Sequence, residues 1–336
     1  MRGARPPAGS DARRRDRRLP PERRRMGGAV PHRNHPAVGR RRAGAAARRP
    51  SQWVQAEQPK RGSTVMTKDR IDLRFLIREA ADVYHAKGKD YLTAHALNEF
   101  RRCPQLYRRK ELGLVPERDS TAYVIGRAAH TLILEGRQRY EREYAIGGPI
   151  NPRTGQPFGS ATKAFAEWAA TQSKPVLSDS HAALVEQMAA AVREHAVARD
   201  LLADGVAEGV VRCTYAEHAC QARIDWISPA LAVGIVDLKT TEEIDSFDLA
   251  LRALGYIHQL AFYRALIAVA SGHVLPVHVI AVEKREPFRV GAWRIEAAVL
   301  DQARAQNEEA MRELRGCRAS GNWFTRFEGL RVVDRL

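Results

Sequence analysis

The stretch Ala232-Val233-Gly234-Ile235-Val236-Asp237-Leu238-Lys239-Thr240-Thr241 decides how the rest of the chain reads. It is a short apolar, β-branched run that acquires a carboxylate and an amine near its end, the pattern of a buried strand. Side chains alternate along a strand, so Asp237 and Lys239 project from the same face. An ionised carboxylate among apolar neighbours is costly unless it is paired or holds a metal. The two residues therefore either form a salt bridge at a strand rim or flank something between them.

The preceding segment, Ala222-Arg223-Ile224-Asp225-Trp226-Ile227, also sets an acid among apolar residues, with Arg223 on the same face as Asp225 by alternation. If the two strands are neighbours, Asp225 and Asp237 converge. Converging carboxylates raise each other's cost of ionisation, and a divalent cation relieves it; oxygen ligands suit Mg²⁺ or Mn²⁺. An ammonium beside such an ion can stabilise charge on a phosphate or help to deprotonate water.

Outward from this centre, 209–215, 219–227 and 232–239 read as three consecutive strands separated by the short breaks Ala-Glu-His and Ser-Pro-Ala. A long helix is predicted over 246–270, strands over 278–283 and 289–295, and a closing helix over 297–315. The first half is helical. Apolar residues recur at helical spacing from Ile71 through Phe75, Leu76 and Ala80, and Thr93 is placed to cap a helix through Leu97, Phe100 and Leu106. Further helices are predicted to carry Val124, Ala128, Leu132 and Leu134, and to cover about 161–173 and 178–203, after a polar loop at 147–160. A helical N-terminal half followed by a small mixed sheet flanked by helices is an α/β arrangement.

Charge divides the chain more sharply than hydropathy does. The 336 residues carry a formal charge of +16, but residues 1–65 hold 17 Arg and 1 Lys against 4 acids, leaving only +2 on 66–336. A uniformly basic protein of histone type is excluded. The Arg, Pro and Ala-rich stretch 1–65 lacks the large apolar residues needed to offset the entropy of ordering, so it reads as a disordered tail. It either holds phosphates without reading sequence, or is an upstream extension of a reading frame whose start is Met66. Residues 66–336 read as a single domain, large enough to bury a full core.

The four cysteines, Cys103, Cys213, Cys220 and Cys317, form no CxxC pair and no dense framework, which disfavours a secreted disulfide scaffold and a zinc site. No run of eighteen apolar residues occurs, and no apolar segment follows the basic start. The expectation is a cytoplasmic protein without a membrane partner.

Downstream of the Asp-x-Lys strand, Gln259 and Tyr263 lie four residues apart and share a helix face. Upstream, His130 closes Gly126-Arg127-Ala128-Ala129-His130, where the small residues allow close approach of another element. Taken singly, each of these is most often a packing residue. The ordered set is more specific: Gly126 with His130, then Asp225, then Asp237-Leu238-Lys239, then Gln259 and Tyr263 resembles the restriction-endonuclease-like core of the PD-(D/E)xK nuclease superfamily. The nearest likeness is to its RecE-type, exonuclease VIII-like branch of phages and prophages, related to RecB and AddB nuclease domains. The segments 91–114, 126–136, 223–241, 255–264 and 282–284 carry the likeness, which spans most of 84–324. Ile224 departs from it, standing where the family often has Pro.

The resemblance implies a Mg²⁺- or Mn²⁺-dependent exonuclease that degrades linear double-stranded DNA from its ends, 5′→3′, in recombination or DNA processing. It implies that His130, Asp225, Asp237 and the carbonyl of Leu238 bind the metal. Lys239 would position or activate the attacking water, while Gln259 and Tyr263 orient the lysine and contact the DNA backbone. Glu208 matches an acidic position frequent in the family. Backbone contacts are expected from Arg101, Arg102, Arg127 and Arg223, with Arg108, Arg109 and Lys110 as further basic residues. A ring-like homo-oligomer and a single-strand-annealing partner are likewise implied. Some relatives hold a [4Fe–4S] cluster with one Cys before the core and three after it. Here only Cys317 lies near the C-terminus and Cys213 and Cys220 fall on strands, so no cluster is expected. Two rival readings remain: an endonuclease or CRISPR-associated end-processing enzyme of the same fold, and a non-catalytic nucleic-acid binder using the Arg-rich tail.

Overall fold

The structure, a computed structural model, describes residues 69–115 and 121–332. The expectations for the tail 1–65 and for a start at Met66 lie outside the described residues. The chain begins with α1 (Ala81–Ala86), α2 (Ala94–Arg102), α3 (Pro104–Glu111), α4 (Thr121–His130) and α5 (Arg137–Glu143). A short parallel pair, β1 (Ala145–Ile146) and β2 (Val176–Leu177), brackets α6 (Lys163–Ala170). Then come α7 (Asp179–Glu194), α8 (Ala196–Leu201), β3 (Val206–Tyr215), β4 (His218–Ile227), β5 (Ile235–Thr241), α9 (Phe247–Ala253), α10 (Tyr256–Ser271), β6 (Val277–Glu283), β7 (Val290–Ile295) and α11 (Ala297–Ser320).

Five strands form one mixed sheet in the order β3-β4-β5-β6-β7, antiparallel except for the β5–β6 pair. The parallel step requires a crossover, which α9 and α10 supply. The two faces bury separate cores. Ile235, Val277, Val279 and Ala281 pack with α2, α10 and α11, whereas Val236, Leu238, Ile280 and Val282 pack with α4 and α7. This is the period-two division that the apolar run at 235–238 predicts.

Local chemistry sets the element ends. The Thr93 hydroxyl accepts from the Ala96 amide at 3.2 Å, so α2 starts where the cap signal places it. It stops at Cys103, which Pro104 forces into extended geometry, and the proline opens α3 as its first residue. The helix predicted through Leu106 is thus two helices. The helix predicted over 246–270 is also broken, because Gly255 at φ 75 separates α9 from α10. A Cβ at Gly255 would sit 3.0 Å from Asn98, whose side-chain amide donates to the Gly255 carbonyl at 3.1 Å and ties α2 to α10. At 195 the 178–203 helix breaks in the same way into α7 and α8.

The segment 71–80 corrects another expectation, since it is irregular, with a turn at 74–75, rather than helical. The Ile71 amide donates to Pro229 and Ile77 exchanges amide–carbonyl bonds with Val210. Its apolar spacing suits a helix equally well, but these backbone bonds go to distant partners, Ile71 to Pro229 and Ile77 to Val210 on β3. Among the described residues no single helix is long and apolar enough to cross a membrane; α9 and α10 reach that length only together, bent by 65°.

Candidate active site

The site begins as a defect in the sheet. β3 and β4 pair regularly on both sides of one position: Ala207 faces Trp226 and Gly209 faces Ile224, while Glu208 and Asp225 between them do not pair. Glu208 has φ 55, a conformation that costs a non-glycine residue on the order of 1–3 kcal/mol and persists where surroundings enforce it. The side-chain alternation slips at the same level. Ile224 and Ile227 both enter the α10-side core, three residues apart, and Trp226 packs on the opposite face. β4 and β5 pair only at Trp226–Val236 and Ile227–Ile235. One step further the register would set Asp225 against Asp237, but the Leu238 amide instead donates to Asp225 Oδ2 at 2.9 Å. Glu208, Asp225 and Asp237 thereby occupy one row across three adjacent strands, at the point where the ladders part.

Helix α4 closes one side. It packs on β5 at Gly126, where a Cβ would meet Thr240 Oγ1 at 3.6 Å, an ordinary contact distance. His130 ends the helix with Nδ1 3.5 Å from Asp225 Oδ2. The turn directly after it, Thr131–Glu135, is a π-helix, an insertion common at functional sites. Ligand atoms of His130, Glu208 and Asp225 all lie within 4.8 Å of one another, a spacing that can hold a metal ion. Asp237 stands outside that tight triplet, one strand over.

The protonation economy fits a cation. Burial, and then the Asp225 charge, push the Glu208 carboxyl well above the ordinary range. Burial also raises Asp225, against the pull of Lys239 and the Leu238 amide. Asp237 is pushed up to about 6 by burial, against the opposing pull of Lys239. His130 is held down to about 4 by burial and then by Lys239, so its imidazole is neutral at pH 7 and its lone pair is available. Neither oxygen of the buried Asp237 has a hydrogen-bond partner of acceptable geometry among the described residues. An unsatisfied carboxylate, two raised neighbours and a neutral histidine make a donor set that a divalent cation completes.

Lys239 is fixed from three directions. Its ammonium lies 2.6 Å from Asp237 Oδ2, a charge contact rather than an aligned hydrogen bond, and it donates to Gln259 Oε1 at 3.4 Å. It also sits 4.7 Å from the centre of the Tyr256 ring, a cation–π distance. Gln259 in turn donates to the Tyr263 hydroxyl at 2.8 Å. Burial opposes the lysine's charge, but Asp237 and Asp225 outweigh it and raise its pKa, so the group is an ammonium.

The expected basic residues separate. Arg223 is turned into the site, 2.8 Å from Glu208, and half-buried. Arg102 and Arg127 are exposed on α2 and α4, and Arg101 is half-buried near the end of α2. Arg108 pairs with Glu111 at 2.6 Å and Lys110 pairs with Glu99. Two residues near the site had no role assigned from sequence. Tyr256, which sits with Gln259 and Tyr263 on the same helix, covers Lys239. His95, in the first turn of α2, lies in the field of Lys239 and Asp237, and nothing in its sequence surroundings marks it.

Comparison with known proteins agrees with this geometry. The profile of a PDDEXK-like domain of unknown function (DUF3799) matches residues 94–334. The fold is similar to a crystal structure of an exonuclease candidate from Eubacterium rectale, with a TM-score of 0.56 and 15% identity, over 77% of this chain and 96% of that one. No protein of curated function matches the sequence significantly. The interrupted sheet, the row of acids with its lysine and the profile match converge: the chain belongs to the PDDEXK-like family and is a PD-(D/E)xK nuclease-type domain.

Proposed function

We propose that the protein is a divalent-metal-dependent exonuclease that degrades linear double-stranded DNA, with Mg²⁺ or Mn²⁺ as the ion and 5′→3′ as the direction, in recombination or DNA processing of the phage type. The observation that carries the proposal is the row Glu208, Asp225 and Asp237 beside a buried ammonium. With all three acids ionised, as ligation requires, Arg223 and Lys239 leave this centre with a net charge of −1, which opposes a polyanionic substrate until a cation is bound.

His130, Asp225 and Glu208 would hold the ion, with Asp237 and the Leu238 carbonyl completing its surroundings. A bound divalent cation supplies Lewis-acid polarisation of a phosphate and acidification of a water. The remaining work falls to the protein. Lys239, charged and held by Asp237, Gln259 and Tyr256, donates to the phosphate oxygen on which negative charge develops. Gln259, oriented by Tyr263, fixes the lysine's direction. Arg223 holds the Glu208 carboxylate. The exonuclease mode and polarity are supported by the sequence resemblance.

The test is to incubate end-labelled linear and closed circular duplex with Mg²⁺ and the wild-type protein, beside Asp237→Ala and Lys239→Ala. Nucleotide release from linear DNA only, lost in both variants, is expected. Cleavage of circular DNA would convert the reading to an endonuclease, and no release, or equally active variants, would remove the catalytic assignment.

A further inference from the structure

A second basic feature lies away from the row of acids. Where the last turn of α2 faces α11 and the segment after it, a surface cavity of about 620 Å³ is bordered by Arg101, Gln306, Glu309, Arg312, Glu313 and Arg326. The three guanidinium groups differ in their commitments. Arg326 pairs with Glu313 at 2.6 Å, lies 5.2 Å from the Phe324 ring and 5.9 Å from that of Phe100, and adopts φ 75. Arg101 is half-buried and, among the described residues, hydrogen-bonds only to the neutral Asn98 side chain, at 3.3 Å. Arg312 is exposed. Among the described residues, neither Arg101 nor Arg312 has a carboxylate within 4.0 Å, although Glu309 stands three residues before Arg312 on the same helix.

This arrangement is electrostatically incomplete. Burial, and then the charge of Arg326, lower the Arg101 pKa, so two like charges are held near each other in a part-buried pocket. Guanidinium groups present planar forks of donors that match phosphate oxygens, and an oxyanion between them converts repulsion into paired contacts. The pocket is also rigidly connected to the row of acids. One turn before Arg101, Asn98 bonds the Gly255 carbonyl at the start of α10, the helix that carries Gln259 and Tyr263. A DNA strand lying in the site has to continue over a neighbouring surface, and half or more of protein–DNA hydrogen bonds go to its backbone.

We infer that Arg101, Arg312 and Arg326 form a phosphate-binding pocket for the DNA backbone outside the scissile bond. The inference rests on the nucleic-acid reading of the site. The pocket sets the position of the strand and adds salt-sensitive affinity without reading sequence.

The test is equilibrium binding of a fluorescein-labelled 20-base-pair duplex in EDTA, from about 50 to 300 mM KCl. Wild type is compared with Arg101→Gln, Arg312→Gln and a control, Arg193→Gln, which removes one exposed charge from α7 on the opposite face of the sheet. Because Arg312 is exposed, its variant tests the pocket even if Arg101→Gln folds poorly. Each pocket variant is expected to weaken binding several-fold and to reduce the salt slope by about one, with the control unchanged. Wild-type affinity and slope in Arg312→Gln, or the same loss in the control, would overturn the pocket. Because no step is catalytic, a reduced slope in a protein that never cleaves DNA leaves the pocket standing and removes the nuclease reading, whereas cleavage with an unchanged slope does the reverse.

Discussion

Two carboxylates on neighbouring strands expose equally little surface, 1% each, and differ in depth and in partners. Glu283, at the end of β6, accepts from the Ile244 amide at 2.9 Å and from Arg289 through two contacts of 2.8 Å, and Arg289 also binds Asp245. Hydrogen bonding from Arg289 holds its carboxyl down to about 2. Asp237, on β5, has the Lys239 charge beside it and no well-formed hydrogen bond, and burial pushes it up to about 6. Exposed surface alone therefore does not separate a structural acid from a functional one. Satisfaction of the buried oxygens does, because a satisfied acid stabilises the fold and an unsatisfied one is waiting for a partner.

The strongest way to break this comparison is to neutralise the unsatisfied acid. Asp237→Asn should lower DNA cleavage by about 10³-fold, in the range found for loss of one transition-state contact, while the unfolding midpoint of the metal-free protein stays within a few degrees of wild type. A large loss of stability would place Asp237 in the same class as Glu283. Gln259→Ala should lower the rate by roughly 10–100-fold, as removal of a side chain that orients a reacting group does. Tyr263→Phe should follow in the same direction with a smaller effect. Steady-state kinetics on linear duplex check both, and unchanged rates would show that Asp237 and Tyr256 suffice to position Lys239.

Glu283→Gln should do the reverse, costing about 2 kcal/mol of stability by weakening charged hydrogen bonds while leaving metal affinity alone. Urea unfolding in EDTA, followed by a metal titration, separates the two effects.

Acidity gives the smallest and most diagnostic difference. Asp237 and Glu208 are raised, so the folded metal-free protein retains protons that the unfolded chain releases. That contribution is full below the ordinary carboxylate pKa and is lost as pH rises through about 6 and beyond. Glu283 is depressed, so its contribution is present above its ordinary 4.5 and is lost as pH falls toward about 2. A divalent ion must displace the retained protons, so the rise in melting temperature caused by Mg²⁺ should grow by a few degrees between pH 6 and pH 8. Equal rises at both values would mean that the raised carboxyls do not contact the ion.

Much of the site was legible before any coordinates. Asp237 and Lys239 share a face because strands alternate, and the structure brings them into contact. Asp225 adjoins the same centre, and His130 reaches it from the end of α4. Other features depend on distant partners. The apolar spacing at 71–80 is compatible with a helix, but its backbone bonds go to Pro229 and Val210, far along the chain. Arg223 is placed on the Asp225 face by alternation and reads as a DNA contact, and only the fold sets it against Glu208. The cluster at Arg101, Arg312 and Arg326 joins residues more than two hundred positions apart, which no local pattern could connect.

By itself the sequence determined the order of elements, the alternation that sorts β5 between two cores, and the identity of the acids and the lysine, because these depend on periods of two and 3.6 residues and on side-chain chemistry. Only the tertiary structure decided that β3, β4 and β5 lose their pairing at one level. It also decided that Glu208 takes a left-handed backbone there and that Asp237 is left unsatisfied while Glu283 is not. Hydrogen-bond partners across strands are long-range choices made in competition, and a buried group's protonation follows from those choices rather than from its neighbours in the chain.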